Sequence, residues 1–153
     1  YGPWGRPDMA LFLFTKAILE NRPIKVFNNG EMVRDFTYID DIVESIKRLI
    51  KKPPSKRHIL NNENFDPNES WAPFKIFNIG NSNPTPLMDF IDALEDSLEK
   101  KAIKKFLPIQ PGDVPSTESN NESLEEWINF KPNTSIKDGI NKFILWYKDF
   151  YNY

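Results

Sequence analysis

From Val33 to Val43 the chain runs Val-Arg-Asp-Phe-Thr-Tyr-Ile-Asp-Asp-Ile-Val. An arginine stands just ahead of an aromatic-rich stretch, and a double acid opens a segment whose apolar residues keep helical spacing. Ile42, Val43, Ile46, Leu49 and Ile50 fall at i, i+1, i+4, i+7 and i+8, which places them on one stripe of a helix beginning near Asp40. Lys51 and Lys52 complement the dipole of its last turn, and Pro53-Pro54 ends it. Phe36–Ile39, immediately before, reads as a short strand. A strand that passes directly into an amphipathic helix is an α/β signature.

The rest of the chain keeps mixing the two periods. A Gly/Pro loop over residues 1–8 precedes a densely apolar helix from Met9 to Glu20, stopped by Asn21 and Pro23. Ile24–Phe27 is a short strand and Asn28-Asn29-Gly30 a turn. Residues 53–73, rich in Pro, Asn and Glu, form a surface loop. Phe74–Ile79 alternates as a strand. Thr85 and Pro86 are the N-cap and first residue of a helix carrying Leu87, Phe90, Ile91, Leu94 and Leu98. A basic strand, Ile103–Leu107, leads to Pro111-Gly112-Asp113. A short helix around Leu124–Ile128 follows, and then a last helix capped by Ser135. About five helices and three or four short strands give an α/β or α+β domain.

Composition removes whole classes of function. With 39% hydrophobic and 14% aromatic residues the chain is globular. A net charge of −2 makes no field for a nucleic acid, so any phosphate binding must be local. No cysteine is present, which excludes disulfides and thiolate metal sites. No apolar run approaches a membrane span and no signal peptide is visible, so a cytoplasmic location is expected. The first residue is Tyr1 rather than Met, which suggests part of a longer polypeptide.

Few residues carry the pattern of a chemical site. Arg34 offers a fixed fork of donors that suits a diphosphate; its alternative is an ion pair with Glu31 or Asp35. Asp113 sits on a tight turn, where a carboxylate can accept from the vicinal hydroxyls of a ribose, although turn chemistry alone also favours Asp there. Arg6, in a loop stiffened by Pro3 and Pro7, can meet an anionic ligand or stack on Trp4. Asp40 and Asp41 are better read as complements to the helix dipole than as paired catalytic acids. His58, the only histidine, has no second ligand at useful spacing. Gly80-Asn81-Ser82 is like a phosphate loop only in part, since Pro84 and Pro86 remove donors. There is no Gly-rich dinucleotide loop, no Tyr-x-x-x-Lys pair, no Ser-His-Asp set and no metal-ligand cluster.

Tyr1-Gly-Pro-Trp-Gly-Arg-Pro-Asp-Met9, the Arg34-Asp35-Phe36 to Asp40-Asp41 segment and Pro111-Gly112-Asp113 together resemble the second half of the extended short-chain dehydrogenases that modify nucleotide sugars. The likeness is greatest to UDP-glucuronate 4-epimerases, and it runs from Tyr1 to the Trp146-Tyr147 helix. It implies that residues 1–36 and 80–153 form a UDP-sugar-binding lobe, and that 37–79 supply a helix and strand to an NAD-binding Rossmann lobe whose remainder lies outside this chain. It implies substrate contacts from Arg34 to the diphosphate, Asp113 to the ribose and Arg6 to the sugar carboxylate. Main-chain groups of Val26 and Phe27 would read the uracil, and the N–H groups of Met9 and Ala10 would face the diphosphate. The catalytic Tyr and Lys would lie upstream, so this chain alone is expected to be inactive. The parent is expected to be a homodimeric isomerase that inverts C4 of UDP-glucuronate through an NAD-dependent 4-keto sugar. A sister decarboxylase, a hexose epimerase, a 4,6-dehydratase and a stand-alone binding domain are the alternatives.

Overall fold

A computed structural model of the chain describes residues 1–56 and 67–153; His58 and the middle of the 53–73 loop lie outside the described residues. In chain order the elements are α1 (Ala10–Leu19), β1 (Ile24–Val26), a 3₁₀ turn (Asn28–Gly30), β2 (Val33–Asp35), α2 (Ile39–Lys51), β3 (Pro84–Pro86), α3 (Leu87–Leu98), β4 (Lys104–Phe106), α4 (Glu122–Ile128) and α5 (Ile136–Tyr151). The strands form two small ribbons. β1 pairs with β4 in parallel, Ile24 beside Lys104, and β2 pairs with β3 antiparallel, Arg34 beside Thr85.

The core is helical. Leu11, Phe12, Phe14, Ala17 and Ile18 of α1 meet Phe90, Ile91, Leu94 and Leu98 of α3 and Ile140, Phe143, Ile144 and Tyr147 of α5, with Ile24 and Val26 of β1 closing one side. Phe12 packs edge-on against Phe143 with centroids 4.9 Å apart, and Phe36 stacks on Phe90 at 4.5 Å. α5 starts as its sequence predicts: Ser135 Oγ accepts from the Asp138 amide at 3.1 Å. α1 and α2 also lie within a residue of their expected bounds.

Two strands lie where the sequence puts them, β1 within Ile24–Phe27 and β4 within Ile103–Leu107, and the others depart from expectation. Phe36–Ile39 is not a strand. The ladder occupies Val33–Asp35, and Phe36 leaves it to stack on Phe90. Its partner β3 is a Pro-Thr-Pro strand. The Leu87 amide donates to Met32 O at 2.7 Å. Antiparallel pairs alternate, so Pro84 and Pro86 then fall at positions that need no donor. Thr85 therefore lies in a strand rather than capping α3, whose N-cap position is Pro86. Phe74–Ile79 forms no strand either. Apart from an isolated bridge between Glu69 and Lys75, it has no ladder among the described residues. Phe74 and Ile76 are consequently about half exposed.

The α2 stripe is also uncovered. Val43, Ile46 and Ile50 are exposed, Ile50 to 74%, while Ile42 and Leu49 are half-buried. Asp41 is buried, and its Oδ2 accepts from the Thr134 amide at 3.0 Å, so it ties α2 to the approach of α5. No described helix is long and apolar enough to cross a membrane, and no described cluster of acids or His could hold a metal.

Glu95 on α3 is 3% exposed. It accepts from the Ala102 amide at 3.0 Å and from the ammonium groups of Lys101, at 2.7 Å, and Lys104. Burial alone would raise its pKa, but these donors outweigh burial and bring it down from 4.5 to about 2. A depressed carboxylate contributes stability that is full above pH 4.5 and fades as pH falls toward 2. Wild type is therefore expected to lose about 3 kcal/mol relative to Glu95→Gln across that window. Thermal melts of both proteins between pH 7 and pH 2 check this; parallel pH profiles would show that Glu95 is not the group responsible.

Candidate functional site

The loop before α1 is built by two turn hydrogen bonds, Gly5 N–H to Gly2 O at 3.3 Å and Met9 N–H to Arg6 O at 3.2 Å. Gly2 adopts φ +143, and a Cβ there would lie 2.6 Å from Ile39 Cγ2, so only glycine fits this approach to α2. Trp4 takes a positive φ of 61, an uncommon choice for a bulky residue, and its ring packs on Trp146 at 5.2 Å and Phe150 at 4.9 Å. The indole is thus engaged with α5 and is not a platform for Arg6.

Arg6 is paired with Asp8 instead, Nη2 to Oδ2 at 2.6 Å and Nε to Oδ1 at 3.1 Å. The hydrogen bond and charge of Asp8 raise the guanidinium pKa, and the Arg6 hydrogen bond lowers that of Asp8. Both groups are open to water, so this bridge is easily exchanged for another carboxylate. Met9 occupies the N-cap position of α1 without a side-chain cap. The first amides of α1 have no acceptor within the helix and carry its positive end.

A pocket of about 470 Å³ opens between this loop and β2. Arg6, Met9, Ala10 and Arg34 line it, together with Tyr1, Gly5, Asp35, Phe36 and Phe90. Four of the residues expected to bind substrate therefore share one cavity. Asp113 joins them through Arg34, whose Nη2 donates to its Oδ1 at 2.8 Å. Arg34 Nη1 donates to Val33 O at 2.8 Å and Pro115 O at 3.2 Å. Three of the five guanidinium N–H donors are thus used among the described residues, and two remain for an anion. Neither Glu31 nor Asp35 is the ion-pair partner of Arg34.

Gly112, at φ +82, makes the turn that presents Asp113, and the Asp113 amide donates to Gln110 O at 3.1 Å. Asp113 Oδ1 also accepts from the Val114 amide at 2.9 Å. Val26 and Phe27 lie outside the pocket lining. Val26 is wholly buried, with its carbonyl accepting from the Leu107 amide at 2.9 Å, and the carbonyl of half-buried Phe27 accepts from the Gly30 amide at 3.1 Å. Asp35, Tyr1, Phe36 and Phe90 are among the lining residues that sequence reasoning did not nominate. Phe36 and Phe90 carried only the signal of core aromatics. The cavity combines two cations, helix-end amides and an apolar wall, which suits an anionic head on an organic body.

The chain matches the model of the NAD dependent epimerase/dehydratase family over residues 1–80. It is 54% identical to protein CapI of Staphylococcus aureus over 151 residues, covering 99% of this chain and 45% of CapI. It is 38% identical to UDP-glucuronate 4-epimerase 1 of Arabidopsis thaliana over 157 residues, covering 100% of this chain and 35% of that protein. The crystal structure of UDP-glucuronic acid 4-epimerase from Bacillus cereus in complex with UDP-glucuronic acid and NAD superposes with a TM-score of 0.78 at 29% identity, covering 99% of this chain and 43% of the other. The chain spans less than half the length of each of these proteins.

Proposed function

Because this chain belongs to the NAD-dependent epimerase/dehydratase family, we propose that it is the UDP-sugar-binding half of a nucleotide-sugar 4-epimerase that interconverts UDP-glucuronate and UDP-galacturonate. The observation that carries this reading is the single cavity lined by Arg6, Met9, Ala10 and Arg34, with Asp113 bonded to Arg34.

In this reading Arg34 and the first amides of α1 hold the diphosphate, and Asp113 accepts from the ribose hydroxyls. The uracil would be met by main-chain groups at Val26 and Phe27, which lie outside the pocket lining and whose carbonyls accept from Leu107 and Gly30 in this structure. Arg6 exchanges Asp8 for the C6 carboxylate of the sugar and so orients C4. No Gly-rich loop is present in this chain, so in a homodimeric parent NAD would be bound mainly by the half outside it, with residues 37–79 completing that lobe. Bound there, NAD would supply a reversible hydride acceptor. Residues 1–36 and 80–153 make the substrate lobe, and 37–79 belong to the dinucleotide lobe. The uncovered apolar faces of α2 and of Phe74 and Ile76 support that division.

Calorimetric titration with UDP, UDP-glucuronate, UDP-galactose and UDP-N-acetylglucosamine tests the reading. Binding of UDP and preference for the acidic sugar are expected; no binding of any of them would remove it. Arg6→Ala, made in a polypeptide of the relatives' length, is expected to lower kcat/KM for UDP-glucuronate about tenfold and to leave UDP affinity nearly unchanged. Steady-state kinetics on acidic and neutral UDP-sugars check this. Equal losses for both would make Arg6 a brace of its loop.

A further inference from the structure

Arg34 and Asp113 lie far apart in sequence, and the segment that carries Asp113 has little regular structure to hold it. Pro111 and Pro115 deprive it of amide donors, and among the described residues its ladder contact is an isolated bridge from Ser116 to Val33, in which the Val33 amide donates to Pro115 O at 2.9 Å and the Thr117 amide to Val33 O at 3.2 Å. Those two backbone bonds hold residues 115–117, and the stretches on either side of them are held by side chains.

Asp35, the residue after Arg34, adds a second hold. Successive strand residues point to opposite sides, so β2 grips two things at once. Arg34 reaches Asp113 and Pro115 O. Asp35 gathers three backbone amides into one carboxylate: Ser82 at 3.0 Å and Ser119 at 3.2 Å on Oδ2, and Asn83 at 3.4 Å on Oδ1. Its own amide faces Thr117 Oγ1 at 3.5 Å. Around it, Ser82 Oγ donates to Ser119 O at 2.8 Å, and the Gly80 amide donates to the buried Asn121 Oδ1 at 3.0 Å. A Cβ on Gly80 would stand 2.4 Å from that of Ser119 and 3.0 Å from Asp35 Oδ2, so the approach of the three segments is close throughout. The Gly80–Asn83 loop does present amides to an anion, and that anion is the Asp35 carboxylate.

We propose that Asp35 is the positioning residue of the nucleotide site: it clamps residues 80–83 and 117–119 to β2 and so fixes Asp113 against Arg34. The role rests on the reading of Arg34 and Asp113 as diphosphate and ribose contacts. Asp35 acts through that pair and touches no phosphate itself. An isosteric amide keeps one acceptor and turns an NH₂ group toward at least one of the gathered amides, which breaks the clamp with little change of volume.

The test uses Asp35→Asn in this chain with two readouts. Hydrogen exchange of the Ser82, Asn83 and Ser119 amides, and of Val114 and Thr117, is expected to speed up while the amides of α1, α3 and α5 keep wild-type protection. UDP affinity by calorimetry is expected to fall about tenfold, and Arg34→Ala/Asp35→Asn is expected to bind UDP no more weakly than Arg34→Ala alone. Unchanged exchange at 113–119, or additive losses of affinity, would overturn the proposal. If wild type binds no UDP, the functional reading fails, and the exchange data still decide whether Asp35 holds the segment.

Discussion

Supplied with NAD and UDP-glucuronate, this 153-residue chain is expected to form no UDP-galacturonate, a complete loss relative to an enzyme of its relatives' length. Inversion at C4 needs a hydride acceptor beside that carbon and a base for the hydroxyl proton. The sequence has neither a Gly-rich loop for the first nor a Tyr-x-x-x-Lys pair for the second. The tyrosines near the cavity do not substitute. A tyrosine base must have its pKa lowered toward neutrality. Burial instead raises the Tyr1 phenol strongly, and the nearby Tyr38, Asp41 and Asp138 add to this. Tyr38 is raised as well, and Tyr147 is pushed up to about 12. Tyr1 lines the pocket, but its hydroxyl donates to Ser135 O rather than toward ligand. Following the anomeric proton signals of the two UDP-uronates by NMR over hours checks the prediction. Turnover by the isolated chain would mean that its own residues hold a base and a cofactor, and the assignment as a substrate half would be wrong.

Arg34→Ala in a polypeptide of the relatives' length should weaken UDP, UDP-glucuronate and UDP-galactose by the same factor, roughly 10–100-fold. That range follows from losing a charge-assisted contact of about 1.5–3 kcal/mol. The uniformity follows from the shared diphosphate. The side chains of Arg34 and Asp113 are 24% and 34% exposed, so the pair is neither fully solvated nor deeply buried. Removing the guanidinium also leaves Asp113 without its charged partner and takes one of two donors from Pro115 O, which keeps the Val33 amide at 2.9 Å. Arg34→Lys separates the contributions, since it keeps the charge and loses the fork. It should recover only part of the affinity. Wild-type UDP affinity in Arg34→Ala would reduce Arg34 to an ion-pair partner of Asp113.

Helices were legible in the sequence because their signals are local. The stripe from Ile42 to Ile50, the stop at Pro53-Pro54 and the Ser135 cap each fix an element from within it. Strands were legible only in part, β1 and β4 as expected but β2 and β3 not, because a strand is defined by its neighbour. Alternation at Phe74–Ile79 says that one face is apolar and nothing about what pairs with it. β3 was hidden by its two prolines, which usually argue against a strand and here occupy the positions that need no donor. At the site, the fork of Arg34 and the turn at Asp113 were visible separately, but their pairing spans 79 residues and has no local signature. Asp35 read only as an ion-pair partner for its neighbour. Its grip on three amides depends on loops that meet only in the folded chain.

The helical core has a consequence for building chimeras from related genes. Its members come from residues 11–26, 90–98 and 140–147, and α2 supplies none of them. A single recombination point anywhere between residues 27 and 89 would take α1 and β1 from one parent and α3 and α5 from the other. Such hybrids would mate Phe12 with a foreign partner in place of Phe143. Exchanging residues 37–79 as a cassette leaves every member of that core native, so the tolerated crossovers should come in pairs at its two ends.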